Sequence, residues 1–225
     1  MGENMVRLIR PADIITLFNA ILGFASVIMA VEGESEIALV LILAAVIGDA
    51  ADGAVARYTG TGVLGANLDS LADVIAFGVA PATAAFVFLK DGGAVSWIFP
   101  GFFLACGTLR LARFNAAEKK DGFEGVPITS GGFIVALFLL VKDYFLYSGH
   151  MFILLLVIVS LLMVSTISYP KLRSPYLLAP MGFLLILDIA GFNRSGISLI
   201  LFIFAVAYIL SPIGKRFYDR NKCEG

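Results

Sequence analysis

The chain has 225 residues, 60% of them hydrophobic and only 15% charged, with a mean hydropathy of +0.95. A soluble domain carries roughly a quarter charged residues, so this composition excludes one and predicts a polytopic membrane protein. With 16 basic and 17 acidic residues the net charge is −1, which leaves no excess to call for nucleic acid as a partner.

Apolar windows of about 17 to 25 residues, enough to cross a bilayer, follow one another along the chain. They fall at Ala12–Val31, Glu36–Arg57, Val63–Leu89, Ala94–Asn115, Thr129–Tyr147, Met151–Ser168, Pro175–Ala190 and Gly196–Ile213. This predicts an all-α bundle of about eight transmembrane helices forming a single domain over 1–225. Pro180 and Asp188 interrupt the seventh window, which membrane helices tolerate when neighbours satisfy the backbone. The apolar run after Pro11 meets acidic residues, not a small-residue cleavage site, so no cleavable signal is expected. At its start Asp13 suits a helix cap better than a ligand role. Thr16 and Asn19 share a face of the first helix and suit either a bound nucleotide or a polar helix contact.

The loops then set an orientation. With the N-terminus inside, Arg7, Arg10, Arg57, Arg110, Arg113, Lys119, Lys120, Lys171, Arg173, Lys215, Arg216, Arg220 and Lys222 are cytoplasmic, and only Lys90, Lys142 and Arg194 lie outside. Both termini are therefore expected in the cytoplasm, with the Glu32, Glu34, Glu36 cluster external.

The second and third windows carry the chemistry. Asp49 and Asp52 are three residues apart, and Asp69 and Asp73 are four apart, so each pair shares one face of its helix. At about 1.5 Å per residue from Arg57, Asp49 lies about 12 Å and Asp52 about 7 Å below the cytoplasmic interface. Buried carboxylates mark function, and four together require a cation. Oxygen-only ligands without nearby histidine or cysteine select Mg²⁺ or Mn²⁺, ions that are commonly shared with substrate phosphates. Gly53, Ala54, Ala56, Gly60, Gly62, Gly65 and Ala66 leave one wall without bulk, which favours close approach of a ligand over helix packing alone.

Asp49, Asp52, Gly53, Ala56, Arg57, Gly65, Asp69 and Asp73 reproduce the pattern DxxDGxxAR, seven residues, GxxxDxxxD. In these residues the chain resembles the CDP-alcohol phosphotransferases. The resemblance implies a six-helix core, here with two further C-terminal helices, and an enzyme that moves a phosphatidyl-type group from a CDP-linked lipid to an alcohol with release of CMP. It implies two metal ions on Asp49, Asp52 and Asp69, with Asp73 as base and possible further ligand. It also implies that Gly53, Ala56, Arg57 and Gly65, with Thr16 and Asn19, contact the nucleotide and phosphates.

A second block, Cys106–Asn115, reads CGTLRLARFN, and a FEGVPI loop follows at Phe123–Ile128. Arg110 lies inside an apolar run, where snorkelling explains it poorly, and a guanidinium fork fits a carboxylate or phosphate. These segments resemble the phosphatidylserine synthase branch of the family. The implied acceptor is L-serine, held by Arg110 and Arg113, and the implied lipid is CDP-diacylglycerol or a CDP-archaeol-type ether analogue. Glycerol 3-phosphate or inositol phosphate remain alternative acceptors for the same arginines. A cation transporter is the alternative from another class, disfavoured because no acidic path continues outward. A homodimer is expected, with Gly131 and Gly132 or the third helix as candidate seams. Cys106 and Cys223 are expected to be plain thiols, and His150, the only histidine, a structural one.

Overall fold

A computed structural model describes residues 9–60, 64–116, 123–169 and 175–223, with backbone alone at 59, 123, 175–178 and 213–223. Arg7, Lys119, Lys120, Lys171 and Arg173 lie outside the described residues, as do the side chains of Lys215, Arg216, Arg220 and Lys222.

Helix α1 spans Pro11–Glu32 and begins where the sequence requires. Pro11 occupies the first turn, where its missing N–H costs nothing. The backbone N–H of Arg10 donates to Asp13 Oδ2 at 2.8 Å, which is the capping role expected of Asp13. The helix stops at Gly33, whose φ of 91° is left-handed. Helix α2 (Ser35–Thr59) returns along α1 and ends at Gly60. The third helix, α3 (Gly65–Phe88), is continuous but changes hydrogen-bond register in its middle, with a π-helical stretch at Val74–Val79 between two α-helical arms.

Helix α4 (Val95–Ala116) leads through strand β1 (Phe123–Glu124) to α5 (Ile128–Leu140). Then come α6 (Ser148–Val164), strand β2 (Ser168–Tyr169), α7 (Pro175–Ile189) and α8 (Arg194–Cys223). The helices match the eight apolar windows in order. The fifth is shorter than its window: it ends at Leu140, and a 3-10 turn at Lys142–Tyr144 follows. Apolarity alone masked that break, because Phe145 folds back to stack on Phe138 with ring centroids 5.2 Å apart. The antiparallel β1–β2 pair, Phe123 opposite Tyr169, was too short to be visible as a pattern.

Five helical segments are long and apolar enough to cross a membrane, namely α1 to α4 and the Arg194–Pro212 part of α8, with α5, α6 and Ala179–Ile189 apolar but shorter. The chain is thus an all-α polytopic membrane protein. Its outside confirms the solvent: Ile14, Phe18, Ile21 and Phe24 on α1 are 61%, 56%, 60% and 62% exposed, as lipid-facing side chains must be. Its interior is built around α3, α4 and α5, where Phe77, Phe103, Ile134 and Leu137 are fully buried.

Two glycines clamp the π stretch. A Cβ on Gly23 of α1 would sit 2.6 Å from Ala76 Cα, and one on Gly132 of α5 would sit 2.9 Å from the carbonyl oxygen of Phe77. Backbones this close admit only hydrogen. A Cβ on Gly131 would collide with Met163 Cε. Gly131 and Gly132 are therefore consumed by packing within the chain and do not supply the dimer seam expected of them.

Candidate active site

Helices α2 and α3 bring the acidic residues together. Carboxylate oxygens of Asp49, Asp69 and Asp73 all lie within 4.8 Å of one another. The one-turn spacing of Asp69 and Asp73 points both toward α2, and Asp49 meets them from its own helix. Asp52, one turn beyond Asp49, is 5% exposed and stands outside this trio while remaining in electrostatic reach of all three. Thr16 of α1 donates to Asp52 Oδ2 at 2.9 Å, its hydroxyl also lying 3.1 Å from the carbonyl oxygen of Ala12. Asp73 is the last residue before the π stretch, so the clamp from Gly23 and Gly132 fixes the point at which its side chain leaves the helix. π-Bulges of this kind recur at functional sites. Nothing in composition or apolar period could have revealed it.

A trio of carboxylates this close repel one another unless a cation lies between them. The donor set is oxygen only, which suits Mg²⁺ or Mn²⁺. The residues present therefore fit the divalent metal expected from the sequence, and Asp52 and Asp69 both face a cavity into which a phosphate could bring further oxygens.

That cavity, about 290 Å³, is lined by Ala12, Asp13, Thr16, Asp52, Gly53, Ala56, Gly65, Ala66 and Asp69. The motif positions Gly53, Ala56 and Gly65 are thus walls of one space. A Cβ on Gly53 would meet nothing within 4 Å, so that wall is open backbone. Two expected contacts lie elsewhere. Arg57 is exposed in the last turn of α2, away from the lining. Asn19 is 2% exposed and wedged against Gly48, so it makes a helix contact, one of the two roles expected of it. Its Oδ1 is a buried atom without a hydrogen-bond partner among the described residues.

The two arginines of α4 have separate fates. Arg113 donates to the carbonyl oxygens of Val164 at 3.1 Å, Glu124 at 2.9 Å, Ser165 at 3.0 Å and Met163 at 3.4 Å. It closes the C-terminal end of α6 against β1, since the last carbonyls of a helix have no partner within it. In this structure the Arg113 guanidinium is thus engaged by the fold, whereas the sequence reading expects it to bind serine. Arg110 is 7% exposed, makes no hydrogen bond among the described residues, and lies over the Phe114 ring at 5.4 Å. It is in electrostatic reach of Asp73. Beside it, Asn115 Nδ2 donates to Ser70 Oγ at 2.9 Å, joining α4 to α3 one residue from Asp69. Cys106 is a free, buried thiol, as expected.

A membrane bundle with this acidic hairpin defines a class. The sequence profile of the CDP-alcohol phosphatidyltransferase family matches residues 10–169, from the start of α1 to the end of β2, and the chain belongs to that family. It is an integral-membrane enzyme of phosphatidyl transfer from CDP-linked substrates. Among its relatives, a protein of Methanothermobacter thermautotrophicus named archaetidylserine synthase is 34% identical over 173 residues, 75% of this chain and 73% of that one. A CDP-diacylglycerol–serine O-phosphatidyltransferase of Methanocaldococcus jannaschii is 34% identical over 209 residues, covering 92% of this chain and 96% of its own. Its namesake from Helicobacter pylori is 35% identical over 170 residues, 72% of each chain.

Proposed function

We propose that this enzyme transfers the phosphatidyl group, or its ether-lipid equivalent, from CDP-diacylglycerol or CDP-archaeol to the hydroxyl of L-serine, releasing CMP. One observation supports an acceptor that carries an anionic group. Arg110 is a buried guanidinium without a hydrogen bond among the described residues, in electrostatic reach of Asp73. A buried charge left unpaired is costly, and an incoming carboxylate relieves that cost with a forked pair of hydrogen bonds. Among anionic acceptors, the names of the relatives favour serine.

Asp49, Asp69 and Asp73 would hold one divalent ion, and Asp52 with Asp69 a second at the wall of the cavity. When bound, Mg²⁺ or Mn²⁺ neutralises the pyrophosphate and the departing CMP. The chain's own residues do the rest. Thr16 fixes the Asp52 carboxylate, and the bare wall at Gly53, Ala56 and Gly65 lets the nucleotide's phosphates approach the backbone. Arg110 holds the serine carboxylate so that the serine hydroxyl faces Asp73. The hydroxyl oxygen attacks the lipid-side phosphorus, its proton passes to the Asp73 carboxylate, and the bond from phosphorus to the bridging oxygen breaks with CMP taking the electron pair. The site faces the cytoplasm, where CMP and serine are soluble. The distribution of basic residues supports this, Arg10, Arg57 and Arg113 lying at the site's end of the bundle and Lys90, Lys142 and Arg194 at the other.

The test is CMP release by the purified protein in detergent with CDP-diacylglycerol and Mg²⁺ or Mn²⁺. L-Serine should start it and EDTA stop it. Release only with glycerol 3-phosphate or an inositol phosphate would overturn the serine assignment, and metal uptake into proteoliposomes without CMP release would favour the transporter. Independently of turnover, Mg²⁺ or Mn²⁺ should raise the melting temperature, because a ligand of the native state stabilises it.

A further inference from the structure

Two lysines that the reaction does not use meet at the end of the bundle away from the carboxylates. Lys90 opens the 3-10 turn that follows α3 and lies about 25 Å beyond Asp73 along that helix. Lys142 opens the corresponding turn after α5. Both line one cavity of about 280 Å³, together with Ser35 at the start of α2 and the apolar side chains of Leu39, Phe88 and Leu139. Among the described residues no acidic side chain lines this cavity, and neither ammonium group makes an ion pair or a hydrogen bond. Lys142 Nζ instead lies 5.9 Å from the centroid of the Phe88 ring. The remaining basic residue at this end, Arg194, is already engaged, paired with Glu36 and donating to the carbonyl oxygen of Asp188 at 3.3 Å.

We propose that this cavity binds the phosphate of an anionic phospholipid from the leaflet opposite the catalytic site, with both lysines paired to the phosphate and the apolar wall in contact with the start of an acyl chain. A lone lysine at a helix end serves the last carbonyls or snorkels to water. Two from separate helices lining one cavity are like charges that an anion between them stabilises. The depth is that of a headgroup, since Tyr144 and Tyr147, which follow Lys142, are 59% and 74% exposed, as rings at a membrane surface are. Charge also selects the source of the phosphate. Exposed Glu32, Glu34, Asp91 and Asp143 occupy the adjoining turns and repel an anion that arrives through water. A phosphate delivered along the membrane carries chains that gain from Leu39, Phe88 and Leu139 what those acids oppose. A lipid so bound ties the α1–α2 turn to the ends of α3 and α5, and it does so whichever acceptor the enzyme uses.

The experiment compares the wild type with the double variants Lys90→Gln/Lys142→Gln and Lys90→Arg/Lys142→Arg. Each is purified in neutral detergent with EDTA, so that no metal holds phosphate at the carboxylates, and receives phosphatidylglycerol, phosphatidylcholine or sodium phosphate. Without lipid the three proteins should melt alike. Phosphatidylglycerol should raise the melting temperature of the wild type and of the arginine variant by about 3 °C more than phosphatidylcholine does, and sodium phosphate should raise neither. The glutamine variant should lose this difference. Native mass spectrometry should show it retaining one phosphatidylglycerol fewer per chain, a stoichiometric loss that diffuse attraction to a charged micelle does not produce. An equal rise with both lipids, or a rise and a retained lipid that survive in the glutamine variant, would overturn the proposal. A rise reproduced by sodium phosphate would overturn the lipid as occupant and leave a site for a free anion. Should the glutamine double variant fail to fold, each single glutamine variant should lose part of the rise, and a full rise in both would again overturn the proposal.

Discussion

The carboxylate pole on α2 and α3 and the arginine pole on α4 hold their side chains in different ways. At the carboxylate pole three like charges share a space less than 5 Å across, within 4.8 Å of one another. Among the described residues, only Asp52 has a hydrogen bond to another helix, from Thr16. At the arginine pole two like residues three positions apart part company: Arg113 is surrounded by backbone carbonyls, and Arg110 makes no hydrogen bond among the described residues. The difference separates binding from architecture. Groups without protein partners are the ones left for a metal or substrate, while the fully engaged Arg113 holds the fold together.

The largest expected effect is therefore at the carboxylate pole. Asp69→Asn should lower CMP release by more than about 10³-fold with every acceptor, since it removes a carboxylate shared by the trio and the cavity wall. In EDTA the variant should melt no lower than the wild type, because the substitution relieves repulsion. It should also lose the metal-induced rise in melting temperature. A variant that melts well below the wild type in EDTA would mean that Asp69 is architectural, and the contrast between the poles would collapse. Next in size, Arg110→Lys keeps the charge and loses the fork, and it should raise the serine KM by about 30-fold or more with little change in the KM of the CDP-lipid. Equal effects on both substrates would remove Arg110 from the acceptor site.

Legibility in the sequence follows the same division. The carboxylate pole could be read because its geometry is local: spacings of three and four residues on two consecutive helices fix which side chains share a face. The apolar windows likewise gave the helices, since bilayer thickness sets their length. What stayed hidden depends on contacts between distant segments. Arg113 and Arg110 look equivalent along α4, and only the C-terminal end of α6 and strand β1, at Val164 and Glu124, separate them. The packing of Asn19 against Gly48, and of Gly131 and Gly132 against Met163 and Phe77, likewise joins segments far apart in the sequence. The π stretch after Asp73 has no compositional mark, because it arises from backbone approach on both sides of α3.

Arg113 tests the architectural half of the contrast. Arg113→Ala leaves the carbonyls of Val164, Glu124 and Ser165 without their shared donor and should destabilise the protein by about 2 to 3 kcal/mol. At a temperature where the variant remains folded, its serine KM should match the wild type within about twofold. A selective rise in the serine KM would return Arg113 to the acceptor site and mean that its carbonyl contacts are exchanged for substrate during turnover.

The smallest effect sharpens how the two poles are joined. Ser70 and Asn115 form the hydrogen-bonded link between α3 and α4 beside Asp69, and both residues are near the surface. Ser70→Ala should cost no more than about 1 kcal/mol of stability, because water can take over the amide's bonds. Its kinetic consequence discriminates more than its stability does. If the poles are aligned by the packing of α3, through Gly23, Gly132 and the π stretch, loss of this link leaves kcat and both KM values within about twofold. If Ser70 and Asn115 set the distance between Asp73 and Arg110, kcat falls while ground-state binding is kept, since a small misplacement of acceptor relative to base is felt mainly in the transition state. Steady-state kinetics of Ser70→Ala and Asn115→Ala separates these outcomes, and the glycine clamp leads us to expect the first.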